Sequence, residues 1–259
     1  MLGPGLGGTL VQLLGVPLAM GLDALSFLGS TALLGSIRSR EPDPVPRQAD
    51  ASLWRELREG FTVTFDNRAL RSLASTAAAY NLFGQWFEVL FLLYAVTVLH
   101  LEPTVLGLIL SAGAVGALIG SLTAVRIGRA IGMGPAVVWT VGLESIVLVP
   151  AALVGDGSLV SLVALGAIHA VNGFGLTVSS VHAISIRQGV TPDHQLGRMT
   201  GSYRFISYGV IPVGAMLGGL VGELLGVRIG LLIGAIGAVS SVLFVLPLRS
   251  MRTLAEASS

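Results

Sequence analysis

With 259 residues, of which 53% are hydrophobic and 11% charged, this chain is too apolar for a soluble domain, where about 25% are charged. A mean hydropathy of +0.83 leaves too little polar surface to cover a globule. The 35 glycines are about twice the usual share, and glycine lets membrane helices approach closely. Cysteine is absent from the sequence, which excludes a disulfide framework and a thiolate metal site. The composition predicts an all-α polytopic membrane protein.

Eight apolar segments follow one another along the chain, counted on the basis of about 20 apolar residues per membrane span. They are Leu2–Leu14, Leu18–Ile37, Ser72–Leu99, Thr104–Val125, Pro135–Val154, Leu159–Ile186, Leu196–Leu225 and Ile229–Leu248. A polar connection, residues 38–71, separates the second span from the third, and a polar tail, residues 249–259, follows the last.

The polar connection divides into two parts. Residues 41–46 carry three prolines, which favour an extended linker. From Ser52 onward, apolar residues recur at helical spacing and predict an amphipathic helix: Leu53, Leu57, Phe61 and Phe65. We expect this helix to lie on the cytoplasmic leaflet, and a soluble cytoplasmic helix is the alternative.

Arginines are unevenly distributed between the two sides of the predicted membrane. Thirteen of the fifteen fall in the 38–71 connection, in alternate short loops and in the tail, whereas Arg204 and Arg228 do not. Because basic residues accumulate on the cytoplasmic side, the central connection and the C-terminus are expected in the cytoplasm.

An internal repeat relates the first two spans to the last two. Residues 3–39 align without a gap onto residues 214–250, with twelve identities in thirty-seven positions. Leu6-Gly7-Gly8 falls on Leu217-Gly218-Gly219, and Arg38-Ser39 falls on Arg249-Ser250. Matching pairs of spans in the same orientation indicate a parallel repeat of the kind found in many transporters.

Several motifs resemble those of the major facilitator superfamily, in particular bacterial drug-efflux and enterobactin-exporter-like permeases. The segment with Gly3, Pro4, Gly7 and Gly8 resembles the end of the antiporter motif of helix five. The segment Asp23–Phe27 resembles a DAxSF segment in helix six of those exporters.

Two loop motifs extend the resemblance. Residues 191–193 with Gly197 and Arg198 resemble the loop between helices ten and eleven, including Asp193. Arg126, Gly128 and Arg129 resemble the second-half copy of the superfamily's loop signature, although Val125 replaces its acidic residue.

The resemblance implies a secondary active transporter in the bacterial cell membrane. It would export amphipathic small molecules, such as a drug or a siderophore, by proton-coupled alternating access, without a cofactor and without enzymatic activity. Residues 1–37 would be the last two helices of an N-terminal half, and residues 72–248 a six-helix C-terminal half. About 170 residues would then be expected upstream, by comparison with the second repeat. The alternative is a fragment that does not transport, or a membrane partner subunit that needs a separate N-terminal half.

Polar residues inside spans are the candidates for function, because burying them in a bilayer is costly. Asn81, Gln85 and Glu88 share one face of a helix. We expect this face to contact substrate, with Glu88 as a protonatable coupling residue, and a polar packing seam between helices is the alternative.

Other polar residues in the spans support the same pathway less directly. His169 and Asn172 share a face, and His169 could relay protons, while a histidine hydrogen-bonded to a neighbouring helix is the alternative. Tyr203 and Arg204 lie in the 196–225 span, and Arg204 could attract an anionic substrate or extend to the headgroups. Asp23 and Glu144 are expected on peripheral helices, and Glu223 near the outer surface. The sequence contains no phosphate-binding loop, nucleophile triad or metal-ligand cluster.

Overall fold

The computed structural model describes residues 18, 20–22, 24–36 and 53–251. These residues form helices and turns, and none of them lies in a β-strand. The chain divides into two compact units, residues 1–52 and 53–259. In the first unit, α1 is an apolar helix over Met20–Gly35. The predicted span Leu2–Leu14, the glycine-rich motif within it and Asp23 lie outside the described residues.

The second unit contains nine α-helices within residues 53–251. They are α2 (Leu53–Asp66), α3 (Arg68–Thr97), α4 (Pro103–Ile131), α5 (Met133–Ile146), α6 (Leu159–Val190), α7 (Leu196–Gly209), α8 (Ile211–Leu225), α9 (Val227–Val239) and α10 (Ser241–Val245). Short 3₁₀ helices follow α5 (Val149–Leu153), precede α7 (Asp193–Gln195) and follow α10 (Leu246–Ser250).

Five helical segments of the described chain are long and apolar enough to cross a membrane by length and composition. They are Pro103–Ile131, Met133–Leu153, Leu159–Val190, Asp193–Leu225 and Val227–Ser250. The 30-residue α3 is about 45 Å long but is not among these five, because Asn81, Gln85 and Glu88 lower its hydropathy. An all-α polytopic membrane protein is confirmed.

Glycines allow α8 to pack closely against α3. At three glycines of α8, a hypothetical Cβ atom would fall within 3.1 Å of an atom of α3. The pairs are Gly214 with Leu82, Gly218 with Trp86 and Gly222 with Leu90. Both sets of residues repeat every four positions, so the two helices stay in register over two turns. On the adjoining α9, the carbonyl of Gly230 accepts a hydrogen bond from the indole of Trp86 at 2.9 Å. Glycines of α8 and α9 therefore allow these two helices to pack closely against one side of α3.

Helices α4 and α6 form a second closely packed pair. Hypothetical Cβ atoms at Gly116 and Gly120 would overlap the carbonyl oxygens of Ala170 and Phe174, respectively. Toward the other end of the pair, Nε2 of His182 lies 3.0 Å from the carbonyl oxygen of Ala124. Small residues thus bring the two backbones into contact, as in other membrane helix pairs.

The amphipathic helix α2 packs against α7. Oε2 of Glu59 lies 2.8 Å from Nη1 of Arg198, and the rings of Phe61 and Phe205 meet edge to face, with centroids 6.0 Å apart. Gly60 provides the room, because a Cβ atom there would overlap the hydroxyl of Ser202. The predicted amphipathic helix therefore has a protein partner, and its contact with the cytoplasmic leaflet stays a prediction.

The turn between α5 and α6 is held by polar contacts at the end of the bundle away from α2. The hydroxyls of Ser161 and Ser158 donate to the carboxylate of Asp156 and hold its pKa below the usual value. Arg228 donates to the carbonyls of Ala152 and Leu153 at 3.1 and 3.2 Å. These bonds satisfy carbonyl groups that the end of a helix leaves without partners.

Candidate functional site

A cavity of about 410 Å³ lies between α3, α5, α6 and α7, and we call it the main cavity. Its walls combine apolar side chains with charged and polar ones: Tyr80, Asn81, Glu144, Ser179, Arg187 and Arg204. Cavities that bind small molecules have volumes of about 300–1,000 Å³ and are lined mostly by apolar groups, with a few polar groups that fix orientation. The main cavity has both properties.

Glu144 lies in the wall of the main cavity, although the resemblance led us to expect it on a peripheral helix. Glu144 is 2% exposed, and its Oε2 accepts a hydrogen bond from the hydroxyl of Ser179 at 3.0 Å. Gly175 makes room for it, since a Cβ atom there would lie 2.7 Å from Cβ of Glu144. The four-residue spacing of Gly175 and Ser179 on α6 is the sequence signal that could have identified this pocket for a side chain.

Asn172 connects the three helices that surround Glu144. Its Nδ2 donates to the hydroxyl of Tyr80 on α3 at 2.8 Å and to the backbone carbonyl of Glu144 on α5 at 2.8 Å. Both protons of one amide nitrogen are thereby used. Asn172, which the sequence singled out, therefore fixes the position of Tyr80 relative to α5.

His169 lies outside the wall of the main cavity. Its ring packs against Phe91 with centroids 4.7 Å apart, and its Nδ1 lies 3.0 Å from the carbonyl oxygen of Leu165 on its own helix. His169 lines neither the main cavity nor the second cavity described next. The hydrogen bond is to its own helix rather than to a neighbouring one, so a role of His169 in proton relay stays a prediction.

A second cavity, of about 210 Å³, adjoins the main one. Asn81, Gln85 and Glu88 line it together, as the helical spacing predicted, and Tyr80 and Asn81 line both cavities. Nδ2 of Asn81 donates to the carbonyl of Ser207 on α7 at 2.7 Å. Glu88 is exposed.

The basic end of the main cavity is formed by α6 and α7. The guanidinium of Arg187 lies over the ring of Tyr203, 3.8 Å from its centroid, and Arg204 lines the same cavity. Cation–π contacts of this kind stabilise a guanidinium without neutralising its charge. Arg187 was not a sequence candidate, because its position near the end of a span suggested only a cytoplasmic loop residue.

The loop-motif residues lie outside both cavities. Arg126 and Arg129 are exposed, while Gly128 contacts His182, since a Cβ atom there would overlap the imidazole. Asp193 begins the 3₁₀ helix that precedes α7, and Arg198 forms the ion pair with α2. Of these residues, Gly128 and Arg198 contact neighbouring helices.

Comparison with known protein families places the chain in one of them. A family model described as transmembrane secretion effector matches residues 1–259. None of the curated proteins matches the chain. Among the residues that the structure describes, no group of three or more histidine, aspartate or glutamate side chains could hold a metal ion.

Proposed function

The chain belongs to the transmembrane secretion effector family of the major facilitator superfamily, and on that premise we propose that it exports amphipathic small molecules by proton-coupled alternating access. The observation that carries the proposal is the main cavity. It places charged and polar groups between helices of membrane-spanning length, where such groups are costly unless they serve a ligand or one another.

The break between α7 and α8 supports movement around this cavity. Helix α7, which lines the main cavity, ends at Gly209, and α8 begins at Ile211, immediately before Pro212. Proline removes a backbone donor and interrupts helical hydrogen bonding. In our proposal α7 tilts about this break while α8 stays packed on α3, which opens and closes the cavity.

Glu88 is the proposed coupling residue. It lines the second cavity with Asn81 and Gln85, and Tyr80 and Asn81 connect this cavity to the main one. A carboxylate that is accessible to water next to the ligand site can bind a proton in one state and release it in the other. The direction, export, is proposed from the family's description as a secretion effector and from the resemblance to bacterial exporters.

The distribution of arginines supports an orientation in the bacterial cell membrane. In this orientation the central connection, the tail and α2 are cytoplasmic. The basic end of the main cavity, with Arg187 and Arg204, would then face the cytoplasm, from which an exporter takes its substrate.

The test compares Glu88→Gln with Glu223→Gln in the full chain. Glu223 is an exposed carboxylate on α8 that lines neither cavity, so it is a matched control. Proteoliposomes carry an imposed pH gradient, and movement of a panel of amphipathic fluorescent compounds is recorded. We expect gradient-driven movement to be lost in Glu88→Gln and retained in Glu223→Gln. Unchanged movement in Glu88→Gln would remove Glu88 from the mechanism, and no movement of any compound by the unmodified chain would contradict transport.

A further inference from the structure

The charged residues of the main cavity have no protein counter-charges within the described part of the chain. The two ion pairs there both involve Glu59, which is bonded to Arg55 and Arg198 on the α2 side. Glu144, Arg187 and Arg204 line the main cavity and take part in neither pair. The cavity therefore holds one carboxyl group and two guanidinium groups that form no ion pair with the described residues.

These charges lie toward opposite ends of the cavity. Ser179, which donates to Glu144, and Arg187 are eight residues apart on α6, or about 12 Å along the helix axis at 1.5 Å per residue. Arg204 belongs to the same end as Arg187, because both lie beside Tyr203. The main cavity thus has an acidic end at Glu144 and a basic end at Arg187 and Arg204.

Each end retains free hydrogen-bonding capacity. Oε2 of Glu144 accepts from Ser179, whereas no donor among the described residues bonds to its Oε1. Nε of Arg187 is buried without a hydrogen-bond partner, although buried polar groups are nearly always bonded. An ammonium group would bond to Oε1 of Glu144 at one end, and a carboxylate or phosphate would pair with the guanidinium groups of Arg187 and Arg204 at the other.

Much of the wall between the two ends is apolar, although Ser180 also lines it. Ala183 and Ile184 of α6 contribute apolar surface, together with Val141 of α5 and Met199 of α7. A hydrocarbon chain that joins two charged groups would bury its surface here, which stabilises binding by about 25 cal/mol per Å². A compact zwitterion, with both charges on neighbouring carbons, would leave one end unpaired.

We propose that the main cavity binds a dipolar amphiphile, with its cationic group toward Glu144, its anionic group toward Arg187 and Arg204, and its hydrocarbon part between them. This rests on the proposed export function and narrows its substrate class. A singly charged amphiphile pairs with only one end, so it lacks the second ionic contact and binds less tightly.

The test uses three probes with the same eleven-carbon chain: ω-aminoundecanoic acid, undecanoic acid and undecylamine. The full chain is placed in nanodiscs of neutral phosphatidylcholine, and binding is measured by titration calorimetry with empty nanodiscs subtracted. We expect ω-aminoundecanoic acid to bind at least about tenfold more tightly than either singly charged probe. Equal or weaker binding of the dipolar probe would overturn the proposal.

Two variants make the test specific to the charges. Glu144→Gln should reduce the affinity for ω-aminoundecanoic acid to that for undecanoic acid, whose own binding stays unchanged. The double variant Arg187→Gln with Arg204→Gln should reduce the affinity for ω-aminoundecanoic acid to the affinity for undecylamine. A misfolded protein cannot produce these opposite patterns. If both variants weaken all three probes equally, the charges have a structural role and the proposal fails.

Transport is measured separately, so the two proposals can fail independently. The expected binding pattern without gradient-driven movement in proteoliposomes would contradict export and leave the dipolar site standing. Gradient-driven movement, together with equal binding of the three probes, would contradict the dipolar site and leave the export proposal standing.

Discussion

Alanine substitutions at two glycines of α8 provide a sensitive test of how this helix packs on α3. At Gly214 a Cβ atom would lie 2.9 Å from the carbonyl carbon and 3.1 Å from Cα of Leu82, and would overlap its oxygen, whereas nothing lies within 4 Å of a Cβ atom at Gly219. Both substitutions are the same change in the same helix. The gain from replacing glycine in a helix, about 1 kcal/mol, therefore cancels when the two are compared.

The difference between the two variants is the cost of overpacking. Because the Gly214 neighbour is backbone, it cannot rotate away, and the helices must separate; such changes cost about 1–3 kcal/mol. We expect Gly214→Ala to unfold more easily than Gly219→Ala by this amount, and Gly219→Ala to be as stable as the unmodified chain or slightly more stable.

The assay is unfolding by sodium dodecyl sulfate in mixed micelles, followed by the fluorescence of the three tryptophans. The free energy of unfolding is compared between the two variants and the unmodified chain. Equal stability of the two variants would refute the register of α8 on α3, because that register alone distinguishes the two positions.

Three further predictions concern other contacts. Gly128→Ala should lower the free energy of unfolding by about 1–3 kcal/mol, because its Cβ atom would overlap the imidazole of His182; unchanged unfolding in mixed micelles would contradict this contact. Asn172→Leu should slow gradient-driven transport in proteoliposomes and lower the free energy of unfolding by about 1–3 kcal/mol. The substitution removes both hydrogen bonds of the amide nitrogen and leaves the Tyr80 hydroxyl and the Glu144 carbonyl without this donor. Transport and stability equal to those of the unmodified chain would show that the Asn172 bridge is dispensable. Glu59→Gln should change stability by at most about 1 kcal/mol, since its ion pair with Arg198 is nearly half exposed, and the change should disappear at high salt; a larger loss that persists in salt would mean that the pair is effectively buried.

The candidate site was predictable where it depends on one helix. Asn81, Gln85 and Glu88 line one cavity together because spacing of four and three residues places side chains on one face of a helix, whatever surrounds it. The same helical spacing places His169 and Asn172 on one face of α6, but the two side chains contact different neighbours. Asn172 meets α3 and α5, while His169 meets Phe91.

Glu144 shows why the rest was not predictable. Apart from Thr140, Glu144 and Ser145 its helix is apolar, so the pattern of apolar residues does not reveal which side faces α6 and which faces lipid. Only the room left by Gly175, and the hydroxyl of Ser179 on another helix, turn that carboxylate toward the main cavity. Arg187 was missed for a related reason, because its partner Tyr203 belongs to the next helix.

The sequence by itself determined that this chain is an all-α membrane protein, where most of its long helices run and which residues share a helical face. These features follow from hydropathy and from the fixed geometry of the α-helix, which act along the chain. The tertiary structure alone decided which faces meet: α3 against the glycines of α8, α2 against α7, and Glu144 opposite Arg187 in one cavity. Close packing of helices depends on contacts between residues far apart in sequence, and such pairings leave no periodic signal in either segment.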